Sequence, residues 1–311
     1  MSRREAVQAP SSQLRLAFGD EPVRFCVLGS GSSGNCVLIE CGSDRILVDA
    51  GFSCREIERR LDVVGVSTDR FVGIVLTHEH GDHTRGAPRF SRRHEVPIYA
   101  TSGTLDGIKL PAFAPAPVVL ASGRSATVGP FSIEPFAVPH DAREPIGLVV
   151  EAEGVRLGLA ADLGWRSAEA WHRLRDLDAL VLETNHDIEM LRQGPYPWRL
   201  KQRIAGDNGH LSNRDAADGL REILSERLQW VVLYHLSRTN NLPALARDAV
   251  ARVLSLGVAA TRVCVSEQVR PTPWMTVSVP DRQDTSYSKS QRFGASLRAL
   301  QLAGPAAPRG E

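Results

Sequence analysis

Hydrophobic and polar positions follow two different patterns along this chain. In the first half, short apolar runs are broken by Gly, Ser, Asn or Asp. Val23–Leu28, Cys36–Cys41 and Arg45–Asp49 are such runs, the mark of strands joined by turns. Ile57, Leu61 and Val64 fall at helical spacing within Glu56–Val64, and Phe71–Thr77 reads as a buried strand. Phe90–His94 belongs to a helix and Val96–Ala100 to a strand. Phe131–Val138, Gly147–Glu151 and Val155–Ala160 form an antiparallel series with a tight turn at Glu153-Gly154. The second half alternates: helix Ala168–Leu174, strand Ala179–Glu183, helix Asn213–Leu224, strand Trp230–Tyr234 and helix Pro243–Leu254. Ser212 is a good N-cap for the third of these, with Asp215 in its first turn. Hairpins followed by helix–strand alternation predict an α/β (α+β) chain of two sheets packed face to face with helices outside. No internal repeat of fixed period is visible.

Composition narrows the class. The 311 residues are 42% hydrophobic and 23% charged, which excludes a wholly disordered chain, a collagen and a long coiled coil. Apolar runs such as Ile74-Val75-Leu76 are far too short to cross a bilayer, so no membrane partner is expected. Lys+Arg is 37 against 36 Asp+Glu, so a globally basic protein that coats nucleic acid is not indicated. Five cysteines, an odd number with no C-x-x-C, and no signal-peptide pattern point to a reducing, cytoplasmic setting. Residues 1–21 are polar and aperiodic and read as a flexible tail. Residues 280–311 are rich in Ser, Gln, Arg and Ala, carry Lys289, Arg292 and Arg298, and read as a disordered end. A catalytic domain is expected over 22–279.

Gly29-Ser-Gly31-Ser-Ser-Gly34 fits G-x-G-x-x-G after a strand. A dinucleotide site needs a helix to begin there. The next residues, Asn35-Cys-Val-Leu-Ile-Glu40, are instead a β run. The segment is therefore a glycine-rich link between strands that can at most present amides to an anion.

The strongest chemical signal is Thr77-His78-Glu79-His80-Gly81-Asp82-His83. His78 and His80 stand two apart after an apolar strand, so both rings face one way. Asp82 and His83 come after a glycine that lets the chain turn back. Four potential ligands within six residues cannot all be satisfied core groups. Nitrogen and carboxylate donors suit zinc, manganese or iron. His140, Asp162 and His235 are each the first polar residue after a strand, so all can reach one sheet edge. Five His and two Asp suffice for two divalent metal ions sharing a carboxylate. Asp49, in Val48-Asp-Ala-Gly51, is placed to hold a ligand imidazole from behind.

His78-x-His80-x-Asp82-His83, followed by His140, Asp162 and His235, resembles the metallo-β-lactamase superfamily over roughly Val23 to Leu256. That resemblance implies a four-layer αββα sandwich of two mixed sheets. It places His78, His80 and His140 on one metal and Asp82, His83 and His235 on the other, with Asp162 bridging. Gly29–Asn35, Leu182–Asp187, Gly194–Trp198, Gly209–Asn213 and His235–Asn241 look like the YycJ/WalJ branch. This implies a DNA nuclease, a 5′→3′ exonuclease with a role in DNA repair, using two Zn2+ or Mn2+ ions to activate water.

The fold hosts many hydrolyses, so the site must decide the chemistry. The pair His210-Leu-Ser and His235-Leu-Ser-Arg is similar to the tRNase Z arrangement, which implies that His210 is a proton donor oriented by Glu183; Asp82 is a further catalytic candidate. Ser32, Ser33, Asn35, His186, Ser212, Asn213, Arg238 and Asn240 are the candidate substrate contacts. Arg192, Arg199, Lys201 and Arg203 alternate with Tyr196 and Trp198, a composition that can grip phosphates and stack bases. Asp162 to His210 leaves 48 residues (210 − 162), no room for a β-CASP domain. His140 to Asp162 leaves 22 (162 − 140), too few for a tRNase Z arm. DNA is favoured over RNA. The rivals are an RNA-processing nuclease, a hydrolase of a lactone, thioester or phosphate ester, and a non-catalytic binding regulator.

Overall fold

The computed structural model describes residues 22–255 and 260–278. The two expected tails, 1–21 and 280–311, lie outside the described residues.

β1 (Val23–Gly29), β2 (Cys36–Cys41) and β3 (Asp44–Val48) form an antiparallel meander. Helix α1 (Cys54–Val63) comes next, capped by Ser53, whose hydroxyl accepts from the Glu56 amide at 3.2 Å. Its Ile57 and Leu61 face the core, and its buried Arg60 donates to the Leu28 carbonyl at 2.6 Å and to Glu56 at 2.7 Å. β4 (Phe71–Val75) adds in parallel to β3. After it come α2 (Gly81–Thr84), α3 (Ala87–His94), β5 (Ile98–Thr101), α4 (Ser102–Gly107) and β6 (Val118–Leu120). β7 (Ala126–Val128), β8 (Phe131–Ala137), β9 (Ile146–Ala152) and β10 (Val155–Ala160) open the second sheet as antiparallel neighbours. The parallel part consists of α5 (Ala168–Arg173), β11 (Ala179–Glu183), α6 (Ile188–Gln193), α7 (Trp198–Ile204), α8 (Asn213–Ile223), β12 (Trp230–Tyr234), α9 (Pro243–Leu254) and β13 (Arg262–Val265). β14 (Met275–Val277) returns to pair with β1.

Two seven-stranded mixed sheets result, ordered β14-β1-β2-β3-β4-β5-β6 and β13-β12-β11-β10-β9-β8-β7. Inner-face residues of both, including Phe25, Ile39, Ile46, Ile133, Leu148, Val181 and Val232, form one buried cluster. Outer faces pack separately, the first on α1 and α3 through Ile57, Leu61 and Phe90, the second on α5, α8 and α9 through Trp171, Leu220 and Val250. The fold is the expected αββα sandwich. Fully burying each large aliphatic side chain contributes about 1.5–3 kcal/mol, so the three clusters hold the four layers together. Among the described residues, no helix is long and apolar enough to cross a membrane.

The main strands and helices fall where the apolar pattern places them. The short pieces do not announce themselves: β6, β7 and β14 have three residues each, and α4 and α6 six each. Too few periods fit in such lengths for alternation to show.

Candidate metal centre

Most residues of the cluster are delivered by the end of a strand. Asp49 directly succeeds β3, His78 and His80 come after β4, His140 after β8, Asp162 after β10 and His235 after β12, while Glu183 ends β11. Asp49, Asp162 and His235 have φ of 59°, 55° and 56°. This left-handed conformation costs an L-residue roughly 1–2 kcal/mol and turns each side chain sharply off its strand. Asp82 and His83 lie in the single turn of α2. Gly81 does not bend the chain there, since its φ is not positive and a Cβ on it would meet no atom within 4 Å. The glycine that matters is Gly51, where a Cβ would collide with the carbonyl of Asp82. Its bare backbone lets the α2 turn pack against β2 and β3, where the Asn35 amide donates to the Asp82 carbonyl at 2.8 Å.

The hydrogen bonds fix which ring nitrogens face inward. Asp49 accepts from the Thr77 amide at 2.9 Å and from His83 Nδ1 at 2.6 Å. Thr77 Oγ1 donates to Asp49 and stands 3.0 Å from His78 Nδ1. His140 Nδ1 faces the Gly209 carbonyl at 3.1 Å, and His235 Nδ1 faces Glu183 Oε1 at 3.1 Å. With Nδ1 as the donor in each case, the Nε2 lone pairs of His78, His83, His140 and His235 are left for the interior.

Those lone pairs meet further acceptors. Donor atoms of His78, His80 and His140 lie within 4.8 Å of one another, as do those of Asp82, His83 and His235, and those of His78, His83 and Asp162. Asp162 Oδ2 is 3.0 Å from His83 Nε2, yet among the described residues neither it nor His78 Nε2 has a hydrogen-bond partner, and both are buried. Buried acceptors facing acceptors are costly unless a cation joins them. With protein groups alone, the relief is extra protons. Burial works against a charged ring at His83, but Asp49 and Asp162 outweigh it and raise its pKa well above the ordinary value. At His235 burial is likewise overcome, chiefly by Asp162, to about 9. His78 has no such remedy: burial first, then His83, push it well below the usual range. A divalent metal satisfies the orphaned atoms and the convergent carboxylates together, so the donor set fits a divalent-metal centre.

Beside the cluster, His210 Nδ1 donates to Glu183 Oε1 at 2.8 Å. Glu183 is fully buried, and its Oε2 accepts the amides of Leu163 at 2.8 Å and Leu211 at 3.2 Å. Burial opposes its ionisation, but His210 and the hydrogen bonds from both rings lower it to about 2. Burial likewise disfavours a charged His210, yet Glu183 and Asp162 lift it to about 10. One carboxylate oxygen therefore orients both His210 and His235.

The candidate substrate contacts divide. Ser32 lines the 250 Å³ cavity over the cluster, together with His80, Asp82, His140 and His210. His186 and Ser212 line a second, neighbouring cavity. Ser33 and Arg238 are exposed and border neither. Asn35, Asn213 and Asn240 are buried and line neither cavity. Asn35 lies behind the ligands: its Oδ1 accepts from Ser30 Oγ at 3.0 Å, its Nδ2 is 3.3 Å from Asp82 Oδ2, and Ser30 Oγ in turn accepts the His235 amide at 2.7 Å. Asn213 exchanges side-chain hydrogen bonds with Asn241 at 2.8 and 2.9 Å. Of the cation group, Arg203 is held by Asp141 at 2.6 Å and Arg192 by Glu189 at 2.7 Å. Asp141, Asn185, Tyr196 and Ser237 also line the cluster cavity. Of these, Asp141, adjacent to His140, and Tyr196, among the cations and aromatics before His210, carry a hint in the sequence.

The family model described as "Beta-lactamase superfamily domain" matches residues 44–236. Exodeoxyribonuclease YycJ of Bacillus anthracis is 35% identical over 235 residues, covering 75% of this chain and 89% of that protein. Exodeoxyribonuclease WalJ of Streptococcus pneumoniae D39 is 33% identical over 237 residues, covering 75% and 88%. Among solved structures, the metallo-β-lactamase fold protein YhfI of Bacillus subtilis superposes with a TM-score of 0.63 at 15% identity, covering 81% of this chain and 99% of that one.

Proposed function

The chain belongs to the beta-lactamase superfamily, in the branch of the YycJ/WalJ exodeoxyribonucleases, and from that premise we propose that it is a metal-dependent DNA exonuclease working from the 5′ end. The observation that carries this reading is Glu183 Oε1 shared by His210 and His235. It sets a proton donor beside the ligand cluster, which phosphodiester cleavage uses and simple metal storage does not.

His78, His80 and His140 would hold one ion and Asp82, His83 and His235 the other, with Asp162 available to both; Zn2+ or Mn2+ would suit these donors. Bound there, they supply Lewis acidity toward the phosphate and lower the pKa of water. Asp82 has the most exposed carboxylate of the set, 23% against 4% for Asp162, and accepts the proton that the attacking water gives up. As the new P–O bond forms, the bond from phosphorus to the 3′-oxygen breaks. The electron pair departs on that oxygen, which takes a proton from Nε2 of His210, and solvent returns a proton to the ring. The products are a strand bearing a 5′-phosphate and a released nucleotide with a 3′-hydroxyl. Asp49 and Thr77 keep His83 and His78 aimed inward throughout.

We take residues 22–279 as the catalytic unit, DNA rather than RNA as its substrate and repair as its setting. The buried thiols of Cys26, Cys36 and Cys54 suit the reducing cytoplasm. The test is metal-reconstituted protein with end-labelled single- and double-stranded DNA and RNA, beside a His80→Ala control. His210→Ala should lower turnover by about 10²–10⁴ with metal content unchanged. Loss of metal in that variant would instead make His210 a ligand, and cleavage of RNA alone would refute the choice of DNA.

A further inference from the structure

His210 borders two cavities. One is the space over the ligand cluster. The other, about 580 Å³, lies between α6, α7 and the start of α8, a volume in the range that encloses one small ligand. Its wall includes Ile188 and Leu191 from α6 and Trp198 and Lys201 from α7. Trp198 is 68% exposed and stands one turn before Lys201, so both side chains share a face of α7. Lys201 Nζ donates to the Arg192 carbonyl at 2.8 Å, while among the described residues no carboxylate pairs with it. Asp215, the acid on this wall, is engaged by the Ser212 hydroxyl at 2.7 Å. His186, also in the wall, is 3% exposed, and its Nδ1 is buried without a hydrogen-bond partner.

We propose that this second cavity seats the departing nucleotide, with its base against Trp198 and its 5′-phosphate on Lys201. The inference rests on the exonuclease reading. If His210 protonates the leaving 3′-oxygen, the sugar and base attached to that oxygen must lie on the His210 side of the scissile phosphate. This cavity lies beyond His210 and is large enough to hold them. In a strand attacked from its 5′ end, the departing nucleotide is the terminal one. A cavity sized for one nucleotide therefore limits cleavage to single-nucleotide steps and favours ends that carry a 5′-phosphate.

Two measurements test the seat with the full chain. The first is calorimetric titration of thymidine 5′-monophosphate, compared with thymidine, in the presence of EDTA. The nucleotide should bind at least about fivefold more tightly than the nucleoside. Trp198→Ala should weaken it roughly tenfold, as the loss of one stacked base does. Lys201→Gln keeps a donor for the Arg192 carbonyl but removes the charge, and should erase the advantage of the phosphate. The second is kcat/KM on 5′-phosphorylated against 5′-hydroxyl single strands. Wild type should prefer the phosphate, and Lys201→Gln should lose the preference. Equal binding of nucleotide and nucleoside, or affinities unchanged in both variants, would overturn the proposal even if DNA is degraded. If wild type degrades no DNA, the exonuclease reading fails, while the EDTA titration still decides whether the seat exists.

Discussion

The two sheets share one strand plan, an antiparallel meander passing into parallel strands, yet they equip the cluster in opposite ways. The first sheet supplies a single contiguous turn, His78 to His83, closed by its own helical hydrogen bonds, in which the His83 amide reaches the His80 carbonyl at 2.9 Å. The second supplies His140, Asp162, Glu183 and His235 from four separate strand ends, brought together by strand pairing alone. The first contribution is contiguous in sequence. The second exists only when β8, β9, β10, β11 and β12 are all in register. The difference implies that the metal ions weld the second set more than the first.

The sharpest way to break the comparison is Asp162→Ala. If Asp162 serves both ions, this variant should lose both and fall to background activity, whereas His78→Ala should lose one. Metal analysis by mass spectrometry distinguishes the two, and one ion retained in Asp162→Ala would remove the bridging role.

Chelation addresses the whole protein. A ligand at a hundred times its Kd stabilises by about 2.7 kcal/mol, or roughly 5–10 °C for a domain of this size. EDTA should lower the melting temperature by that order, and Mn2+ or Zn2+ should restore it. Hydrogen exchange should rise more at residues 161–164 and 235–237 than at 78–84. Equal loss at both would contradict the asymmetry.

Asp49→Ala probes support from behind the ligands. It strips His83 and Thr77 of their acceptor and should weaken metal binding by about 10–100-fold, read by competition with a metal indicator dye.

The smallest effect is expected far from the cluster. Glu56 is held to about 2 by its hydrogen bond from Arg59, opposed by burial and joined by Arg60. Because the folded pKa is depressed, its stabilisation is present above the ordinary pKa of 4.5 and is lost as pH falls toward 2. Glu56→Gln should cost about 0.5 kcal/mol at pH 7. In urea melts the gap to wild type should close by pH 2.

The asymmetry between the sheets also explains what can be read in the sequence. Ligands crowded into His78–His83 are visible without a fold, and strong strands such as Trp230–Tyr234 mark where His235 must emerge. Asn35 sits in a glycine-rich loop that reads as exposed, whereas the packing of Gly51 on the α2 turn buries it. Asn185 and Ser237 reach the cavity through tertiary contacts that leave no local pattern. Glu183 is legible as a strand-end acid, but its hold on His235 as well as His210 depends on β11 lying beside β12.

The left-handed backbone at Asp49, Asp162 and His235 has an engineering consequence. There the main chain itself aims the functional atom, and a short side chain has little slack to compensate. Exchanging Asp162 for Glu would push its oxygens forward by one methylene with no retreat available, so chemically similar replacements at these corners are not interchangeable. The 188–209 segment, built of short exposed helices, carries no such restriction. New substrate preferences could be written there while the hydrolytic centre stayed as it is.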